Sequence, residues 1–179
     1  MGLAALGLAI TAGATTIVRM SLDELTGAAQ TVARGKCTSS EARMDGGYIW
    51  TFTTFDVSET LKGSNSRQVT VRLLGGKVGH MKSTVDGVPQ FTPGDDVFLF
   101  LEPMREGDLS VTGWVQGTFR VQRDAQTGKE TVTQDSAAFS VFDPATRQFK
   151  TEGSRNLPIE TFRLRVREAV DRQRTGRLQ

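Results

Sequence analysis

The chain has 179 residues, of which 37% are hydrophobic and 23% are charged. That length suits one domain with its own core, and the hydrophobic fraction suits a small β barrel better than a large helical bundle. The 22 basic and 20 acidic residues leave a net charge of only +2, so bulk charge does not suggest nucleic-acid binding. Cysteine and histidine each occur once, as Cys37 and His80, which excludes an internal disulfide and a zinc site with several such ligands.

Residues 2–18 carry no charged side chain, and an apolar run within them is followed by Ala12-Gly13-Ala14. This small-x-small sequence is of the kind that signal peptidase cleaves, so we predict a signal peptide over residues 1–14. The chain would then be secreted or held in the cell envelope. A basic n-region is missing, because the first cation is Arg19. A buried N-terminal helix or a membrane anchor is the alternative, although a stable span needs about 20 apolar residues.

A short helix is predicted directly after the signal peptide. Ser21-Leu22-Asp23-Glu24 has the form of a capping box, in which the serine and glutamate side chains each bond a backbone amide of the first turn. Leu22 and Leu25, with Ala28 or Ala29, recur at helical spacing and form one apolar face.

Two strands of alternating pattern follow. The turn Asp45-Gly46-Gly47 leads into residues 48–57, the strongest hairpin signal of the chain. In this strand the odd-numbered positions, from Ile49 to Val57, form the predicted core face. Residues 67–74 alternate in the same way and indicate a half-buried strand.

The run Val97–Leu101 is predicted to be the central strand. Its five consecutive apolar residues stand between Pro93-Gly94-Asp95 and Glu102-Pro103, which are turn formers. An exposed strand would alternate apolar with polar residues, so this one is expected to be covered on both faces.

The last regular element is a helix over about residues 157–172. Ile159, Phe162, Val166 and Val170 line up at spacings of three and four, and the opposite face is rich in arginine. The chain is therefore mainly β, and we expect one domain over residues 15–179. Its predicted fold is a small OB-like Greek-key barrel with a short N-terminal helix and a C-terminal helix.

Several short motifs add a family resemblance. They are Asp23-Glu24-Leu25 with Ala28-Ala29, the strand Val32-Ala33-Arg34-Gly35-Lys36, the segment Glu59-Thr60-Leu61-Lys62-Gly63, Phe91 with Gly94 before the central strand, and Gly117-Thr118-Phe119-Arg120-Val121. Together they resemble the netrin-like family, whose fold includes the tissue inhibitors of metalloproteases, and small uncharacterised bacterial exported proteins similar to it. The resemblance implies a protein partner, such as an extracellular metalloprotease.

One feature of the netrin-like inhibitors is not matched. Those proteins are held by disulfides and chelate the zinc of the protease with an N-terminal cysteine, and this chain has no cysteine near its predicted mature start. That mechanism therefore does not carry over, and no residue orients a free amine at Thr15 toward a metal.

The best candidate for a binding surface is the aromatic stripe Tyr48, Trp50 and Phe52. His80, in a glycine-rich loop, is a further candidate binding residue. On an OB-like barrel the second and third strands form the ligand face, where aromatic rings can stack on bases or sugars. The alternative is that the C-terminal helix, through Phe162 and Val166, buries these rings, because proteins seldom leave such a patch without a partner.

Catalytic patterns are weak. Ser83 or Cys37 with His80 would give a nucleophile and a base, but an exposed loop histidine and a small core cysteine explain the same residues. Asp95 and Asp96 are adjacent in a turn, and neighbours in a strand point to opposite faces. We therefore expect an exported, non-enzymatic binding module without a cofactor or metal. A single-stranded nucleic-acid binder and a Ser83 or Cys37 hydrolase are the alternatives, with nucleic acid the less favoured partner.

Overall fold

The computed structural model describes residues 17–104, 107–151 and 153–176, so the predicted signal peptide lies outside the described residues. Its two α-helices are α1 (Leu22–Ala28) and α2 (Ile159–Gly176). The strands are β1 (Thr31–Asp45), β2 (Tyr48–Lys62), β3 (Gln68–Leu74), β4 (Gly76–Val78), β5 (Met81–Ser83), β6 (Asp96–Pro103), β7 (Leu109–Val111), β8 (Thr118–Arg123), β9 (Glu130–Gln134), β10 (Ser140–Asp143), β11 (Gln148–Thr151) and β12 (Leu157–Pro158). The protein is therefore mainly β with one short N-terminal and one C-terminal helix, as predicted.

Eight strands form one large mixed sheet in the order β1-β2-β3-β7-β6-β8-β9-β12. β1 pairs along its length with β2 and also pairs with β6 over Thr31–Lys36, so the sheet curls back on itself. β3 and β7 are joined by the single parallel pair Val71↔Leu109. The sheet is barrel-like but not closed.

The long strand β1 can pair with both β2 and β6 because it bends. Its register with β2 shifts at three points, one of them between Arg34 and Gly35. A Cβ atom on Gly35 would lie only 2.9 Å from the Cβ atom of Phe55, so glycine permits the close approach of the two strands at this bend.

β6 is covered on both faces, as its apolar run predicts. Each of the residues Val97–Leu101 is at most 1% exposed. Successive side chains of a strand point to opposite faces. Val97, Leu99 and Leu101 pack inside the curled sheet with Phe55 and Val71, while Phe98 and Phe100 pack in the cluster that contains α2.

The two helices pack together over that second cluster. The predicted capping box of α1 is present: the backbone amide of Glu24 donates to the Ser21 hydroxyl (3.2 Å), and the Ser21 amide donates to the Glu24 carboxylate (2.7 Å). The Phe162 ring of α2 lies 4.9 Å from the ring of Phe98 and 4.8 Å from that of Phe119. Neither helix of the described residues is both long and apolar enough to cross a membrane.

The bounds of the C-terminal helix differ from the prediction. It begins at Ile159, because Leu157–Pro158 pairs with β9 before the helix starts, and it continues to Gly176. His80 lies in the turn of the hairpin formed by β4 and β5, in which Val78 faces Met81.

Replacing the core aromatic of α2 tests how strongly this helix is attached to β6. Phe162→Ala removes a fully buried ring, so we expect the free energy of unfolding to fall by about 3–5 kcal/mol. Leu164→Ala, two residues along and 57% exposed, should change it by less than about 0.5 kcal/mol. Urea denaturation measures both, and equal losses would contradict the packing described for α2.

Candidate binding surface

The predicted aromatic stripe lies on β2, on the side of the sheet that points away from its curled interior. We call this side of β1, β2 and β3 the outer face. It is defined by Glu41, Arg43, Asp45, Tyr48, Trp50, Phe52 and Arg72, with Asp108 beside it. Cross-strand pairing brings these side chains together through Arg43↔Trp50, Asp45↔Tyr48 and Phe52↔Arg72. The odd-numbered positions of β2 face inward as predicted, and Ile49, Thr53 and Phe55 are buried.

Two arginines cover the aromatic rings of the outer face. The guanidinium carbon of Arg43 lies 3.6 Å from the centroid of the Phe52 ring. That of Arg72 lies 4.3 Å from the Trp50 ring and 5.8 Å from the Phe52 ring. These separations suit cation–π attraction, so the four side chains form one stacked array across three strands.

Arg72 is the fixed point of that array. It is only 8% exposed, and it forms ion pairs with Asp45 (2.8 Å) and Asp108 (3.0 Å). Asp45 ends β1 and Asp108 precedes β7, so one guanidinium links two parts of the chain that are distant in sequence. A planar guanidinium can stack and form ion pairs at the same time, which an ammonium group cannot do equally well.

The C-terminal helix does not bury this stripe, which was the alternative prediction. Phe162 and Val166 pack instead with Phe98, Phe100 and Phe119, in the cluster outside β6. Trp50 and Phe52 are half-buried under arginine, whereas Tyr48 is 64% exposed. The position of Arg43 on this face could have been predicted from the sequence, since a two-residue turn at Gly46-Gly47 places Arg43 opposite Trp50.

His80 and Ser83 are on the β4–β5 hairpin and not on the outer face. His80 is exposed in the turn, and Ser83 is half-buried opposite Gly76. Among the hydrogen bonds of the residues that the structure describes, none joins these two side chains. The structure therefore does not bring them together as a nucleophile and its base.

Cys37 is a core residue of β1 and is 2% exposed. Burial raises the pKa of its thiol, the nearby Asp95 carboxylate raises it further, and the thiol donates a hydrogen bond to the Ser39 carbonyl (3.5 Å). A buried neutral thiol is a poor nucleophile, because the thiolate is the reactive form.

Asp95 and Asp96 each have a separate arginine. Asp96 pairs with Arg34 (2.7 Å), and Asp95 pairs with Arg120 (2.9 Å). Burial alone would raise the pKa of Asp95, but hydrogen bonds from the Thr92 backbone amide and from Arg120 hold it below its ordinary value. The two carboxylates are thus parts of different ion pairs, as expected of a turn rather than an acid–base couple.

No protein-family profile matches the chain, and no curated protein matches it at a significant level. Within the described ranges, no group of three His, Cys, Asp or Glu side chains is placed to hold a metal ion.

A conservative change at Arg72 tests the stacked array. Arg72→Lys keeps the charge but loses the planar group, so we expect the free energy of unfolding to fall by about 1–2 kcal/mol. The indole N–H resonance of Trp50, assigned by its absence in Trp50→Phe, should shift at the same time because the ring loses its neighbour.

Arg67→Lys is the matched control, since Arg67 is exposed just before β3. It should leave both the stability and the Trp50 resonance unchanged. A Trp50 resonance that moves equally in both variants would argue against the stack.

Proposed function

We propose that this protein is an exported, non-enzymatic binding module that contacts a protein partner through the outer face. The observation that carries the proposal is the array of Trp50 and Phe52 under Arg43 and Arg72, with Tyr48 exposed beside it. Tryptophan, tyrosine and arginine are the side chains most enriched at the energetic centres of protein interfaces.

The array also has the rigidity that binding favours. Arg72 is fixed by two carboxylates and stacks on Trp50, so few side-chain rotations remain to be frozen when a partner binds. A preorganised surface loses less conformational entropy on association than a mobile one.

The charges of the outer face favour a protein over a nucleic acid. Arg43 and Arg72 are accompanied by Glu41, Asp45 and Asp108, and two of these carboxylates already pair with Arg72. Phosphate backbones are bound by surfaces with a clear excess of positive charge. Mixed charge around aromatic rings suits a protein partner of mixed charge.

The proposal includes an OB-like, netrin-like architecture. It is supported by the barrel-like course of the sheet, in which the order β1-β2-β3-β7-β6 is combined with an additional pairing of β1 with β6, and by the short N-terminal and the C-terminal helix. An extracellular metalloprotease is the partner that the netrin-like resemblance suggests. An envelope protein is the wider class in which to search.

Single-stranded nucleic acid is the second candidate, because bases can stack on aromatic side chains of OB-like strands. Its supporting observation is the same set of rings and arginines on β1, β2 and β3. A hydrolase built on Ser83 or Cys37 with His80 has no such support, given the exposed His80 and the buried Cys37.

Export is tested by the intact mass of the protein recovered separately from the cytoplasm and the exported fraction of its native host. We expect the exported form to lack residues 1–14, because cleavage after Ala14 follows from the small-x-small site. A full-length product confined to the cytoplasm would contradict export and favour the nucleic-acid candidate.

Binding is tested with Tyr48→Ala, which removes an exposed ring without opening the core. Proteins captured from the native host's envelope and medium are identified, produced separately and titrated against the purified chain. We expect Tyr48→Ala to weaken the dissociation constant at least about tenfold, the effect of losing an interface hot spot.

Phe149→Ala is the control, because Phe149 is nearly as exposed as Tyr48, at 61%, but lies on β11, outside the outer face. It should bind as the unmodified chain does. Equal loss in both variants, or none in either, would overturn the assignment of the outer face. A gel shift with single-stranded DNA or RNA that weakens steeply with salt would favour the second candidate instead.

A further inference from the structure

The inner side of the curled sheet contains a cavity that plays no part in the proposed binding surface. Its volume is about 330 Å³, and it lies between β1, β2 and β3 on one side and the β4–β5 hairpin with residues 84–91 on the other. Thr51 and Thr53 line it, and they alternate along β2 with Trp50 and Phe52. Because neighbouring strand residues point to opposite faces, the cavity and the outer face are on opposite sides of β2.

The wall of the cavity is partly apolar and partly hydroxyl-bearing. Leu73, Val88 and Phe91 form its apolar part, and Leu73 (3% exposed) and Phe91 (5% exposed) offer it only a small area. The hydroxyls of Ser40 and Thr53 are hydrogen-bonded to each other (3.0 Å). Small-molecule sites commonly combine an apolar lining with a few placed polar groups, and this volume is at the lower end of their range.

Two lysines are among the residues that line the cavity. Lys77 of β4 and Lys82 of β5 are directly opposite each other in the hairpin, and both line the cavity. None of the ion pairs formed by the described residues involves either of them. Like charges directly across a strand pair are destabilising, and an anion bound near both ammonium groups would offset that repulsion.

Two glycines, Gly75 and Gly76, allow the hairpin with these lysines to pack closely against β1 and β2. A Cβ atom on Gly76, whose φ is +132°, would lie 2.5 Å from the Thr51 hydroxyl oxygen and 2.8 Å from the Cβ atom of Ala42. A Cβ atom on Gly75, whose φ is +100°, would lie 2.9 Å from the Ser83 carbonyl oxygen. Only glycine allows the hairpin to lie this close to β1 and β2, so the roof of the cavity is preformed.

We propose that this cavity binds a small organic carboxylate with a short apolar body. The carboxylate contacts the ammonium groups of Lys77 and Lys82, and the apolar body contacts Leu73, Val88 and Phe91. The site is independent of the protein-binding role, because its side chains lie on the other side of β2.

The proposal is tested by titrating the full chain with sodium hexanoate, 1-hexanol and inorganic phosphate, followed by backbone amide shifts. Hexanoate carries both the anion and the apolar body, hexanol carries only the body, and phosphate carries only the charge. We expect saturable hexanoate shifts at the β4–β5 hairpin and Leu73, with hexanol and phosphate at least about tenfold weaker.

The double variant Lys77→Glu with Lys82→Glu should weaken hexanoate about tenfold or more and leave hexanol unchanged. The control is Lys36→Glu with Lys129→Glu, which makes the same change of net charge at exposed positions outside the cavity. It should bind hexanoate as the unmodified chain does at 0.15 M salt, where distant surface charges are screened.

Equal binding of hexanoate and hexanol would overturn the role of the lysines, as would equal weakening in the two double variants. Phosphate binding as strong as hexanoate would overturn the role of the apolar wall. Absence of saturable hexanoate shifts at the hairpin up to about 10 mM, tenfold above a millimolar dissociation constant, would overturn the site itself. Melting curves of both variants, which change only exposed lysines, check that they fold.

Discussion

The burial of β6 on both faces is the constraint on which the rest of this structure depends. Its five-residue apolar run must be covered twice, once inside the curled sheet and once by α2 with Phe119. The first requirement brings β1 and β7 against the two sides of β6, and the second holds α1 and α2 outside it. Apolar area removed from water is the dominant favourable contribution, so the strand with the most of it determines where the others pack.

The elements that the sequence predicted correctly are those whose signal is local. A capping box needs only Ser21 and Glu24, three residues apart, and the burial of Val97–Leu101 follows from an unbroken apolar run. The odd-numbered core face of β2 follows from alternation alone. The hairpin of β4 and β5 could not be predicted in this way, because strands of three residues carry no measurable period. Glycines at positive φ are also indistinguishable in sequence from those of an open loop.

The cover over Trp50 and Phe52 could not be predicted because it depends on tertiary contact. Alternation of apolar and polar residues predicts which residues share a face of a strand, but it does not predict which other side chains cover that face. Phe162 and Val166 are apolar enough to cover these rings, but they pack in the cluster with Phe98 and Phe100 of β6. The rings of β2 are covered by Arg43 and Arg72 instead. Arg72 can do this at 8% exposure because Asp45 and Asp108 balance its charge, and these carboxylates come from distant parts of the chain. An unpaired guanidinium at that depth would be costly.

Because only some of the rings lie under arginine, the aromatic residues of the outer face differ in how much each contributes to the stability of the fold. Trp50 and Phe52 are half-buried and stack with Arg72, so removing either ring disturbs the fold and any binding surface together. Tyr48 is 64% exposed and forms no stack with the arginines, so its loss should have little effect on stability while altering the surface proposed to bind a partner. The face thus has a rigid interior and an accessible edge, an arrangement that interfaces use when a central anchor is flanked by preorganised neighbours. Because Thr51 and Thr53 point to the opposite side of β2, a partner bound to the outer face would leave the cavity lined by these threonines uncovered.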